Sequence, residues 1–112
     1  MRQRLDDAVV WGLKIVSKLK FAATTLTLAG AATLDADAVL YNLDPGGATR
    51  VITLPAVEEG LAILINNIAD AAEDLTINAP PATTIGTVSQ NEMGIAICLG
   101  GVWYLRLVGA NT

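Results

Sequence analysis

The sequence predicts an all-β domain: a compact sandwich or tulip-like barrel of about seven or eight short strands, preceded by an N-terminal helical or extended arm. Three observations predict it. From residue 21 onward, β-rich runs at 21–28, 33–43, 51–54, 61–66, 75–78, 84–88, 94–99 and 102–108 are separated by turn signals about every 8–12 residues. Those turns have the right chemistry. In Asp44-Pro45-Gly46-Gly47 the proline presets φ and the glycines supply positive φ, and Gly100-Gly101 sits between two apolar runs as a two-residue hairpin signal. Finally, Thr25-Leu26-Thr27-Leu28 alternates polar and apolar, the period of a strand.

The first twenty residues have a different texture. Leu5, Val9, Leu13, Val16 and Leu19 follow one another at spacings of four, four, three and three, one stripe of a helix. Gly12 and the β-branched Val9, Val10, Ile15 and Val16 weaken helix formation, which leaves an extended arm as the alternative. The chain therefore divides into a basic arm, 1–20, and a β domain, 21–112. Within the arm Arg2, Arg4, Lys14, Lys18 and Lys20 face only Asp6 and Asp7, a net charge of +3, whereas Arg50 and Arg106 face nine acids in the remainder, a net of −7. An acidic body repels phosphates and argues against a nucleic-acid partner. The arm combines positive charge with an apolar stripe, and Arg2, Arg4, Leu5, Val9, Trp11, Leu13, Lys14, Val16, Lys18, Leu19 and Lys20 are its candidate partner-binding residues.

Composition points to assembly. Hydrophobic residues make up 53% of the chain and charged residues 16%, against about 25% charged in an ordinary soluble domain. Both alternating faces of Leu61-Ala62-Ile63-Leu64-Ile65 and of Ile95-Ala96-Ile97-Cys98-Leu99 are apolar. Antiparallel strands with one wet face alternate cleanly, so these two strands are expected to be covered on both sides, by a second sheet and by either the arm or another subunit.

Signals for catalysis are weak. The chain has no histidine, the commonest general base, and its one cysteine, Cys98, lies in an apolar run as a small buried hydrophobe. No cofactor or metal is expected. Glu58-Glu59 and Glu73-Asp74 read as solvated turn charges. Asp35 and Asp37 fall on one face of a strand without the oxygen-rich loop of a calcium site. Trp103 and Tyr104 are adjacent in a strand, so one ring enters the core and the other faces outward. A basic, apolar and small-residue succession at 18–38 has the outline of a signal peptide, but its threonines and alternation favour a strand, and it is too short to span a bilayer. No membrane or small-molecule partner is expected.

The β domain resembles a known family. Asn42-Leu43-Asp44-Pro45-Gly46-Gly47, Arg50-Val51-Ile52-Thr53-Leu54-Pro55, Glu59-Gly60-Leu61-Ala62-Ile63, Leu75-Thr76-Ile77, Thr84-Ile85-Gly86-Thr87 and Gly100-Gly101-Val102-Trp103 form a succession of strands and turns between residues 26 and 103. It resembles the head decoration (cement) proteins of tailed bacteriophages and related β modules of phage heads and fibres. The resemblance implies a non-enzymatic structural protein of the virion, on the capsid exterior. It further implies a homotrimer that binds the major capsid protein. Residues 1–20 are not part of that pattern. The alternatives are a fibre or baseplate module that contacts the host, or a secreted bacterial adhesin or pilus-like subunit.

Overall fold

A computed structural model describes residues 20–110. The described chain is all-β, with nine strands in two mixed sheets and no helix. The strands are β1 (Ala23–Thr27), β2 (Ala32–Thr33), β3 (Leu40–Asp44), β4 (Arg50–Thr53), β5 (Ala62–Asn67), β6 (Leu75–Ala79), β7 (Thr83–Val88), β8 (Glu92–Leu99) and β9 (Val102–Ala110). The arm over residues 1–19 lies outside the described residues.

The first six strands alternate between the sheets. β1, β3 and β5 stack in parallel in one sheet, while β2, β4 and β6 do the same in the other. Each parallel step is therefore crossed by way of the opposite sheet, which supplies the long connection that parallel pairing needs. The chain then changes mode: β7 pairs antiparallel with β6, β8 with β5, and β9 with β8. The sheet orders are β1-β3-β5-β8-β9 and β2-β4-β6-β7.

Alternation within each strand places one side of both sheets in a shared core. Tyr41, Leu43, Ile63, Ile65, Ala96, Cys98 and Trp103 from the five-stranded sheet meet Ile52, Leu75, Ile77 and Val88 from the four-stranded one in a single buried cluster. Cys98 is fully buried there, as its apolar run predicts. The Trp103 ring is 4% exposed and donates its indole N–H to the Pro55 carbonyl at 3.0 Å, while Tyr104 is 45% exposed. The predicted in-and-out pair is correct.

Turn chemistry closes the layout. Gly100 and Gly101 both have positive φ, 62° and 75°, and join Leu99 to its partner Val102 in the tight hairpin expected of them. Gly46 has φ 73°, and a Cβ there would run into the Leu28 carbonyl oxygen, so glycine is required. Arg50 binds the same turn, donating to the Pro45 carbonyl at 2.7 Å.

Two expectations need correction. The run at 33–43 is not one strand. Ala36 adopts φ 68°, the Asp35 carboxylate accepts the Asp37 N–H at 3.0 Å, and this Asx-type turn separates β2 from β3. That raises the strand count to nine, and it places Asp35 and Asp37 in a turn rather than on one strand face. The stretch with a signal-peptide outline contains β1 and β2.

Asn67 holds the two sheets together at the end of β5. It is fully buried, donates through Nδ2 to the Glu73 and Val88 carbonyls at 2.9 Å each, and accepts the Ala69 N–H at 2.9 Å. Asn67→Ala leaves all three groups without that partner and is expected to cost about 3 kcal/mol, read by denaturant unfolding; a loss below about 0.5 kcal/mol contradicts this role. Trp103→Ala, which empties a core site and frees the Pro55 carbonyl, is expected to cost about 3–5 kcal/mol. An unchanged melting temperature would contradict that assignment.

Candidate interaction surface

The outward sides of the two sheets differ in chemistry. On the four-stranded sheet, Val51, Thr76 and Thr87 stand in one cross-strand row, and Thr33 and Thr53 in another. Threonine hydroxyls suit such a face to water. On the five-stranded sheet the register aligns Ala23, Leu40, Leu64, Ile95 and Arg106 in one row and Ala62, Ile97 and Tyr104 in the next, with Leu99 beside Val102 beyond them. Among these, Ile97, Leu99, Val102 and Tyr104 are 36%, 50%, 49% and 45% exposed. Ile95, Ile97, Leu99, Tyr104 and Arg106 line a shallow depression on this face, and Arg106 is its one charged wall.

A second depression adjoins it toward β1. Thr25, Asn42, Asn66 and Met93 form a row across four strands, and Asn66 donates to the Asn42 carboxamide oxygen at 2.8 Å. The result is an apolar field with a polar amide row along one side. An apolar centre with a polar margin is a pattern that protein interfaces share.

For β5 and β8 the expected cover by a second sheet is present on the inner side, and the arm expected on the outer side lies outside the described residues. Their inner faces are buried by the opposite sheet, whereas on the outer face Leu64 and Ile95 are half-buried and Ile97 and Leu99 exposed. Of the candidate partner-binding residues, Arg2, Arg4, Leu5, Val9, Trp11, Leu13, Lys14, Val16, Lys18 and Leu19 lie outside the described residues. Lys20 is exposed three residues before β1, the edge strand of this same sheet. The face residues Ile97, Leu99, Val102 and Tyr104 are absent from that candidate set. Their signal was present in the sequence as strands apolar in both parities, but only the β8–β9 register shows that they share a surface.

The acidic residues act locally on the backbone. Asp44 accepts the Gly46 N–H at 2.9 Å, Glu73 the Gly47 N–H at 3.2 Å, and Glu59 the Gly100 N–H at 2.7 Å. Glu59 and Glu73 thus also brace turns, through hydrogen bonds that remain exposed to solvent. Oxygens of Asp44, Asp70 and Glu73 lie within 4.8 Å of one another, and two of these three carboxylates are engaged by the glycine turn. At the mouth between β1 and β2, Asp35 accepts both the Asp37 N–H and the Tyr41 hydroxyl, at 3.0 and 3.2 Å. The Asp37 N–H, aided by Tyr41, holds the Asp35 carboxyl below its ordinary value. Burial, aided by the Asp35 charge, raises the Tyr41 phenol.

These shifts set two pH limits. The stabilising effect of Asp35 is present above about pH 3.9 and is lost as pH falls through its lower folded value. That of Tyr41 is present below about pH 10 and is lost as pH rises through its higher folded value. Tyr41→Phe is expected to flatten the alkaline limb of a melting-temperature profile and to move the acid limb upward. An unchanged profile contradicts the pairing. No family model, curated protein or solved structure matches this chain.

Proposed function

We propose that this chain is a non-enzymatic virion structural protein, a decoration (cement) protein that binds the exterior of a phage head as a homotrimer, through contacts with its own copies and with the major capsid protein. The observation that carries the reading is the exposed apolar face of Ile97, Leu99, Val102 and Tyr104 on a sheet whose opposite side is already committed to the core. The threonine rows on the other sheet support it by contrast. The turn and strand succession between residues 26 and 103, which resembles decoration proteins, supplies the virion context. We read the two sheets as a sandwich, because one buried cluster draws side chains from both.

Cementing works by mass action. A protein that binds only the assembled lattice stabilises each site by RT ln(1 + [L]/Kd), about 4 kcal/mol when free protein exceeds Kd a thousandfold. Repetition over many identical sites multiplies the gain without any chemical step. An apolar face with little charge suits this task, since it gains free energy by leaving water and needs no precise charge pairing.

The test uses the full chain and capsids of the encoding phage stripped of it. Wild-type protein is expected to be trimeric by light scattering and to co-sediment saturably with those capsids. Ile97→Lys, which places a charge in the centre of the face, is expected to keep the β-sheet circular dichroism spectrum and to weaken self-association, and with it capsid binding, at least about tenfold, equivalent to 1.4 kcal/mol. A monomeric wild type that ignores capsids overturns the proposal.

A further inference from the structure

The apolar face needs an occupant, and the chain itself contains a matching segment. Resting on the self-assembly reading above, we infer that residues 1–19 of one copy seat on the outer face of the five-stranded sheet of a neighbouring copy, so that the trimer is built by arm exchange.

Charge favours this occupant over face-to-face packing of two bodies. Residues 20–112 carry a net charge of −6, so two bodies brought together repel, whereas residues 1–19 carry +2 and are attracted to the same acidic body. Arg106, the one cation lining the depression, is the exception within that body. Chemistry matches as well: Leu5, Val9, Leu13, Val16 and Leu19 recur at helical spacing and offer an apolar stripe to an apolar face.

Dimensions agree. Five strands span four inter-strand spacings, about 19 Å. From Leu5 to Leu19 the stripe covers about 21 Å at the helical rise, enough to cross the sheet from one edge to the other. The face itself is small. With β8 eight residues long, its projected area is about 500 Å², below the roughly 800 Å² that each partner buries in a standard interface. A crossing arm adds area that a flat contact lacks.

The origin of the arm makes exchange geometrically simple. The described chain begins at residue 20, just before β1 at one edge of the sheet, while the exposed apolar side chains Leu99, Val102 and Tyr104 lie on β8 and β9 at the other. An arm from edge to neighbouring face is a heterologous contact, which closes into a ring when the rotation between copies is one third of a turn.

The experiment places p-benzoylphenylalanine at position 104 of the full chain and irradiates a mixture of unlabelled and nitrogen-15-labelled protein. Cross-linked peptides are expected to join residue 104 to residues 1–19 with mixed labels in about half of the product, the fraction set by random mixing of equal pools. With the two pools unfolded and refolded together before irradiation, exclusively same-label links to residues 1–19 would mean that the arm covers its own sheet, and links to residues 20–112 of another copy would mean body-to-body packing. Either overturns arm exchange, as does the absence of any cross-link. The triple variant Leu5→Asp, Val9→Asp, Leu13→Asp is expected to be monomeric by light scattering with the wild-type circular dichroism spectrum of the body. A variant that stays trimeric overturns the arm while leaving self-association intact, whereas a monomeric wild type removes both.

Discussion

One core serves both sheets, and the winding of the chain follows from that. Because successive strands alternate between the sheets, each pass of the chain through β1 to β6 contributes one strand to either side of the same apolar layer. Leu43, Ile52, Ile63, Ile65, Leu75 and Ile77 fill that layer from opposing directions. Neither sheet can bury its inner face without the other. The free energy of burying such side chains, about 1.5–3 kcal/mol each, is therefore available only when both sheets are in place, which makes the two layers one cooperative unit.

The antiparallel end completes what the parallel passes begin. β8 and β9 extend the five-stranded sheet, and β7 extends the four-stranded one. Trp103 reaches from β9 to the Pro55 carbonyl, and Asn67 links the end of β5 to the segments around β6 and β7. These polar contacts are buried or part-buried and directional. They fix how the sheets sit on one another, a matter on which nonspecific apolar packing is more permissive.

Commitment of one sheet side to the core decides the role of the other. The four-stranded sheet presents mainly threonines outward, with Val51 among them, and the five-stranded sheet presents isoleucine, leucine, valine and tyrosine. The proposed assembly uses that second surface. The carboxylates at the sheet ends serve the backbone instead: Asp44, Glu59 and Glu73 each accept a glycine N–H in a turn.

Sequence alone determined the all-β class, the hairpin at Gly100-Gly101, the Asp44-Pro45-Gly46-Gly47 turn, the burial of Cys98 and the opposite fates of Trp103 and Tyr104. All of these are local: a period of two sorts side chains onto two faces, and glycine or proline sets the backbone of a turn. Tertiary structure alone decided which strands are neighbours. The parallel pairing of β1, β3 and β5 brings Asn66 to Asn42 across 24 residues of sequence, and the β8–β9 register sets Ile97 beside Tyr104. It also decided the break at Ala36 and the three bonds of Asn67. The period of a strand names its faces but not its partners, because the same alternation is compatible with many pairings until distant segments compete for one core.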